Sequence, residues 1–278
     1  MRQQRGMALL SVLLVLTLAL LLVEGVVRQQ RVMVAATTMQ LETIRLRQAL
    51  LEGEARLLAQ LPRWEGSRPE PVHVGQPWAQ PQAWTLKDGI YLQGAVTDLA
   101  GRFNLQWLAR PSGLEQFKRL LQVLELKAVS WPEGPLPAWR ELSQARLLTG
   151  VDRPWLARLA PYAAWMPEAA RINVNTVQAP VLASLGIPMD VARRLERERP
   201  SAGFSTVQAW RNQPALQGLS VQAGDLAVGS RWFRLELAAQ ADRRRLRLLA
   251  DVELAAADGH PRVLRRWLRA IEEEAPSP

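Results

Sequence analysis

The first 23 residues constrain this chain most. Arg2 and Arg5 stand before Gly6, and from Met7 to Val23 a run of 17 residues carries no charge. That is at the short end of what spans a bilayer as a helix. The apolar run starts directly after the glycine, and the helical pattern does not end with it. From Glu24 to Leu61 apolar residues recur at Val27, Val34, Leu41, Ile44, Leu51 and Leu58, with no proline before Pro62. This is a helical stripe. Anchor and stripe together predict one helix of about 55 residues, roughly 80 Å long at 1.5 Å per residue. A soluble domain rarely needs such a helix, whereas a subunit packed into a helical filament does. Gly25 and Gly53 are the places where it is expected to bend or loosen.

Two plainer readings compete for the N-terminus. A secretory signal peptide needs a small-residue cleavage site close behind its apolar core. Here Val34-Ala35-Ala36 lies well downstream, beyond Glu24, Arg28 and Arg31. An uncleaved anchor needs only the apolar run. Arg2 and Arg5 favour a cytoplasmic N-terminus, a bias that Arg28 and Arg31 dilute.

Beyond the anchor about 255 residues remain, enough for one sizeable core or two modest ones. Cysteine is absent, which removes disulfides and thiolate chemistry. The net charge of +9 invites a nucleic-acid reading. Its detail argues otherwise. Lysine occurs only at Lys87, Lys118 and Lys127, so 32 of the 35 basic residues are arginine, interleaved with Asp and Glu along the whole chain.

Prolines at 62, 69, 71, 77 and 81 make residues 62 to 83 an irregular crossing. A hairpin follows: Trp84 to Lys87, a turn at Asp88-Gly89, then Ile90 to Val96. Asp98-Leu-Ala-Gly-Arg-Phe-Asn-Leu105 is a glycine-containing turn into a new segment. Residues 112 to 218 read as several short helices punctuated by prolines. After Gly229 the period becomes two: Phe233, Leu235 and Leu237 alternate with Arg234 and Glu236. Leu246, Leu248, Ala250, Val252 and Leu254 do the same, with Leu249 as the exception. Asp258-Gly259 then turns the chain into Arg262 to Leu268. The expected result is an antiparallel meander with one wet face. The architecture predicted is α+β: a long N-terminal helix packed on an antiparallel sheet, interrupted by a large all-helical insertion.

The most specific internal signal is Arg171-Ile-Asn-Val-Asn-Thr176, followed by Ala179-Pro-Val-Leu-Ala-Ser-Leu-Gly-Ile-Pro188. With Asp98 to Leu105 and the N-terminal segment, it resembles the K-type minor pseudopilins of the type II (general) secretion system, over nearly the whole chain. The start resembles the class III leader of type IV pilins and pseudopilins. That resemblance implies a division into a leader (1–6), a transmembrane helix (7–23), its periplasmic continuation (24–61), a first part of a pilin-like head (62–98), the insertion (99–229) and C-terminal strands (230–278). It implies cutting by the prepilin peptidase between Gly6 and Met7, then methylation of Met7. It also implies a single pass through the bacterial inner membrane, with the bulk of the chain in the periplasm. The partners implied are the I-, J- and H-type minor pseudopilins, the major pseudopilin, the peptidase and exported substrates. The role implied is to form the pseudopilus tip, initiate assembly and support export of folded proteins across the outer membrane.

Ser11 is the assembly position. Pilins carry glutamate at the fifth residue after the cut, and K-type subunits typically lack it. A carboxylate in the bilayer is costly unless paired. The family supplies that pair from the subunit above, which a tip subunit does not have. The plainer reading is a small residue tolerated in a transmembrane helix.

The second functional reading is a membrane-anchored helix-hairpin-helix DNA-binding protein of a competence-like system. Residues 172 to 204 resemble such a SAM-like hairpin. These hairpins offer backbone N–H groups to a phosphate. Here Gly186 is matched by Pro188, which has no N–H to give, and Glu196 and Glu198 sit beside Arg193 and Arg194. The hairpin reads as a packing module. Asn173 and Asn175 are expected to make turns and cap the next helix, and Asp98 to do the same in its own turn. K-type relatives bind calcium, but no dense carboxylate cluster receives those ligands here, so a metal site stays unassigned and no cofactor is expected.

Enzymatic signals are poor. There is no Walker loop, G-x-S-x-G or H-E-x-x-H. His73 and His260 read as surface residues, and Glu125 and Glu133 lie across a proline-containing bend with nothing around them to make an acid–base pair. Eleven tryptophans read as core and interface packing.

Overall fold

The computed structural model describes residues 2–62, 70–129, 141–166, 170–242, 244–254 and 261–271, with the backbone alone at 2–12, 15, 223 and 271. The Asp258-Gly259 turn, His260, Glu133 and Trp64 lie outside the described residues, as do the side chains of Met7 and Ser11.

In chain order the elements are α1 (Arg2–Leu58), β1 (Gln82–Thr85), β2 (Tyr91–Asp98), β3 (Phe103–Asn104), α2 (Pro111–Val123), α3 (Arg153–Leu159), β4 (Ala163–Ala164) and β5 (Ile172–Asn173). There follow α4 (Ala179–Ser184), α5 (Met189–Arg197), α6 (Val207–Arg211), β6 (Leu226–Ala227), β7 (Trp232–Ala241), β8 (Arg244–Leu254) and β9 (Pro261–Ile271).

Helix α1 runs for 57 residues and tightens into i→i+3 bonds at Gln60 and Leu61, just before Pro62. Leu46, Ala49, Leu50 and Leu57 are buried. Their spacing is that of one helical face, and this face lies on the sheet. The helix passes unbroken through Gly25 and Gly53. Gly53 stands where helix and sheet come close: a Cβ there would lie 2.9 Å from Leu237 Cδ2 and 3.2 Å from Trp84 Cζ2. The glycine lets helix and sheet approach.

The sheet has five strands in the order β1-β2-β7-β8-β9, every pair antiparallel. The hairpin and C-terminal strands expected from period two are therefore parts of one sheet. Its inner face sets Leu92, Val96, Phe233, Leu235, Leu248 and Val252 against α1. Trp78 meets Phe233 edge-to-face at 5.2 Å, the preferred geometry for an aromatic pair.

The outer face departs from the expectation of a wet surface. Near Trp232 the insertion lies over it, and Leu99, Ala164, Met166, Ala170 and Trp232 form a small core there. A register shift between Asp251 and Val252 leaves Leu264 as an extra residue in β9. Such a bulge turns two adjacent side chains to one face. Leu264 packs against this small core, and Arg265 reaches Asp251 at 2.7 Å.

The insertion has its own core, centred on Phe103, Trp107, Phe117, Leu120, Val181 and Trp210. It is helical, with two additions that periodicity cannot show. Parallel pairs of two residues each tie its start to its middle, β3 with β4, and its middle to its end, β5 with β6.

Candidate functional site at the joint of sheet and insertion

The two internal motifs meet. Asp98 ends β2, and its Oδ1 accepts from Ala100 N at 2.8 Å, capping a short 3-10 turn over Leu99–Gly101. Its Oδ2 accepts from Asn173 Nδ2 at 2.8 Å and Thr176 Oγ1 at 2.6 Å. Asn173 Nδ2 also donates to Val72 O at 2.9 Å, and its Oδ1 accepts from Asn175 N at 3.0 Å. Asn175 Nδ2 donates to Phe204 O and Val228 O at 3.0 and 3.2 Å, while its Oδ1 accepts from Phe204 N at 2.6 Å. Val72 N donates to Val228 O at 2.9 Å. Five segments far apart in sequence are thus held by three buried polar side chains.

The expected turns are half present. Asn173 does bend its own backbone, and Asp98 caps its turn. Neither asparagine caps α4, whose first residue Ala179 instead donates its N–H to Glu196 Oε2 at 2.8 Å. Asn175 is spent on Phe204 and Val228 because buried backbone groups without a ladder partner need a side chain to satisfy them.

Burial pushes the Asp98 carboxyl above its ordinary value, and hydrogen bonds from Ser230, Thr176, Asn173 and Ala100 pull it back down. Arg102, in the same motif, donates to Ala160 O at 3.1 Å. Burial, then the charge of Arg234, lowers its pKa to about 10. With both side-chain polar atoms of Asp98, Asn173 and Asn175 hydrogen-bonded, the joint locks two parts of the chain together. Among the described residues no group of three His, Cys, Asp or Glu side chains converges on a cation position.

A second polar system, missed in the sequence, covers the outer face of the sheet. Arg234, Asp251 and Arg265 are cross-strand neighbours on β7, β8 and β9. Arg234 grips Asp251 through two bonds, at 2.7 and 3.0 Å. Both arginines lie over the Trp267 ring, whose Nε1 donates to Glu141 Oε1 at 2.6 Å. On the inner face Arg266 reaches Glu54 of α1 at 2.9 Å. Alternating charge in the strands was the available signal, but strand register was needed to pair it.

At the hairpin between α4 and α5, Gly186 adopts φ +93° and its N–H donates to Ala183 O at 3.0 Å. That N–H is already spent, Pro188 has none, and Arg193 and Arg194 are exposed beyond it. His73, expected at the surface, is half-buried, with Nδ1 unpaired beside Gly75.

Helix α1 divides sharply. Leu14, Val34, Leu41 and Ile44 are 71%, 65%, 57% and 45% exposed, while Leu46 and Leu50 are sealed in the head. Among the described residues no helix is long and apolar enough to cross a membrane; the run from Met7 to Val23 includes positions whose side chains are not described.

A protruding apolar helix, an antiparallel head and a helical insertion define a pilin-like subunit. The family model of type II secretion system (T2SS), protein K matches residues 172–229. Type II secretion system protein K of Pseudomonas aeruginosa PAO1 is 30% identical over 312 residues, covering 95% of this chain and 93% of that protein. Its counterpart in Klebsiella pneumoniae is 32% identical over 285 residues, covering 83% and 86%. The chain therefore belongs to the type II secretion system protein K family, whose members are minor pseudopilins and structural components of that system. Its fold is also that of the crystal structure of the GspK-GspI-GspJ complex from enterotoxigenic Escherichia coli, with a TM-score of 0.69, 20% identity, and coverage of 85% of this chain and 99% of that one.

Proposed function

We propose that this subunit sits at the tip of the periplasmic pseudopilus, with I-, J- and H-type minor pseudopilins beneath it. There it starts assembly and supports export of folded proteins across the outer membrane. The observation that carries this is α1: its apolar surface from Leu13 to Ile44 is exposed, and its last turns are fixed in the head. An apolar helix of that length is stable only in a bilayer or against other helices. The crystallised relative is named in complex with GspI and GspJ, which supports the same partners here.

In this reading residues 1–6 are a leader removed by the prepilin peptidase between Gly6 and Met7. Met7 is then methylated, and residues 7–23 anchor the chain in the inner membrane with its N-terminus in the cytoplasm. Residues 24–61 continue the helix in the periplasm, and 62–98 with 230–278 make the head around the insertion at 99–229. Ser11 replaces the carboxylate that a shaft subunit pairs with the subunit above. Filament neighbours lie on the order of 10 Å apart, about one helix diameter. An extra body of about 13 Å radius, the size of roughly 100 residues, clashes with any head stacked above it. Labelled protein in sheared pseudopili tests this. Signal at one end is the expected result, and signal along the shafts overturns tip placement. Intact mass of the membrane form, expected to begin at Met7, tests the processing step.

A further inference from the structure

The five-stranded sheet ends in two unlike edges. Strand β1 is 4 residues long and follows Pro81, two features that blunt an edge. Strand β9 is 11 residues long, and β8 is its only strand neighbour among the described residues. Its first half is guarded by Pro261 and by the bulge at Leu264. The second half pairs with β8 in unbroken register from Arg265 to Ile271, and no other described segment bonds to its backbone. Every second residue of an edge strand turns its N–H and C=O outward. Between Arg266 and Ala270 such groups face out with no partner strand.

Both faces of this stretch also leave side chains uncovered. On the inner face α1 meets Arg266 at Glu54, and meets Arg244, at the start of β8, at Thr43. The start of β8 lies beside Ile271, the end of β9. Leu51 and Leu268 fall between these two crossings and are 40% and 41% exposed. Leu51 precedes Glu54 by one helical step and so shares its side of α1. On the outer face Arg269 stands directly across from Arg247. Arg247 is engaged by Glu236, while Arg269 has no ion pair among the described residues. Like charges set across a ladder destabilise it, and an acid beside them relieves that.

Guarding alone does not account for such an edge, because a strand that only repels others has no use for an exposed leucine. The arginines decide instead which strand is refused. From Pro261 to Ile271 the strand carries Arg262, Arg265, Arg266 and Arg269 and no acid. A second copy of β9 would bring the same arginines again, with no carboxylate to meet either set.

We propose that β9, from Arg266 to Ala270, takes up a strand from a different polypeptide, one that alternates acidic with apolar residues. Its backbone continues the sheet, its acids face Arg269, and its apolar side chains cover Leu268 and Leu51. Strand addition of this kind draws affinity from main-chain bonds and specificity from alternate side chains. The inference does not depend on tip placement, because it rests on the sheet edge alone.

Amide hydrogen exchange and peptide titration on the full chain in detergent test it. The probe is a capped heptapeptide alternating valine with glutamate. One control carries glutamine for glutamate. A second carries two adjacent central prolines, which remove a donor from each edge of the peptide. The glutamate peptide should slow exchange of the outward amides between Arg266 and Ala270, and bind about fivefold tighter than the glutamine peptide. The proline peptide should protect nothing there. Arg269→Gln should remove most of the preference for glutamate. Equal binding of the glutamate and glutamine peptides, protection only elsewhere in the chain, equal protection by the proline peptide, or no saturation by about 5 mM would each overturn the proposal. Protection of the same amides on concentrating the chain alone would put a second copy on the edge and overturn it too. The peptide comparisons use the unaltered chain, so they decide even if Arg269→Gln folds poorly.

Discussion

Asn173 Nδ2 donates to Asp98 Oδ2 at 2.8 Å, although the two residues stand 75 positions apart in the chain. That bond joins the end of a sheet strand to the start of the hairpin in the insertion. Both residues are buried, at 4% and 0% exposure, so water cannot replace either partner. The insertion is therefore fastened to the head by specific polar contacts as well as by chain connectivity.

Asp98→Ala removes the acceptor for Ala100 N, Asn173 Nδ2 and Thr176 Oγ1. Asn173 retains Val72 O, but the Ala100 N–H is left buried and unpaired. The cost expected is about 1–3 kcal/mol, read from urea denaturation of the full chain in detergent.

The same carboxyl gives a pH signature. Burial holds it above 3.8 despite four opposing hydrogen bonds. A raised acid binds its proton more tightly when folded, so its contribution is full below the unfolded value and is lost as pH rises through the folded one. Asp98→Asn has no proton to lose. The stability of the unaltered chain relative to Asp98→Asn should therefore fall as pH rises above 3.8. A difference that grows with pH would mean the hydrogen bonds outweigh burial.

Gly101 lies in the first motif, where a Cβ would stand 2.8 Å from Thr176 O in the second. Since that neighbour is backbone, it cannot swing aside. Gly101→Ala should cost about 1–3 kcal/mol, the usual penalty for overpacking. Thermal unfolding measures it, and a variant of unchanged midpoint would show that the two motifs are not in rigid contact.

Much of this fold was legible because its signals are local. The long helix shows in a proline-free stripe, the hairpin in Asp88-Gly89, and β7 and β8 in strict alternation. The sequence also marked the two motifs that meet at the joint, but not their meeting. Asn175 looks like a turn residue because its neighbours are turn residues, whereas its partners Phe204 and Val228 lie in other segments. Gly53 reads as a place to bend, and the close approach it allows is hidden because the Trp84 and Leu237 side chains it admits come from distant strands. His73 sits in a proline-rich crossing, and only the fold brings Gly203 against it.

Asp251 is 1% exposed and is held by Arg234 and Arg265. Asp251→Asn leaves two guanidinium groups facing each other without the carboxylate they share, with Glu236 and Glu141 as the remaining negative charges acting on Arg234. Removing one partner from a buried ion pair costs about 3–5 kcal/mol. Both arginines keep roughly a fifth of their side-chain surface in water, so about 2–3 kcal/mol is expected after screening. Arg265→Met should cost less, since Arg234 still neutralises Asp251 through two bonds. Chemical denaturation of the two variants checks that order.

The division along α1 gives the last prediction. Ile44 is 45% exposed, whereas Leu46 and Leu50, within two turns of it, are 1% and 0% exposed. A charge at position 44 meets water in the isolated subunit, so Ile44→Asp should change head stability by less than about 1 kcal/mol, mostly through helix propensity. In an assembled pseudopilus the same charge meets the apolar helices of neighbouring subunits and must be desolvated. Secretion should therefore fall while the purified variant stays folded. Leu50→Ala should do the reverse, costing about 2–5 kcal/mol by opening a cavity under the sheet. Unfolding midpoints and a secretion assay on both variants separate the two faces. If Ile44→Asp instead unfolds the head and leaves secretion per folded molecule unchanged, that side of the helix packs within the subunit and does not face its neighbours.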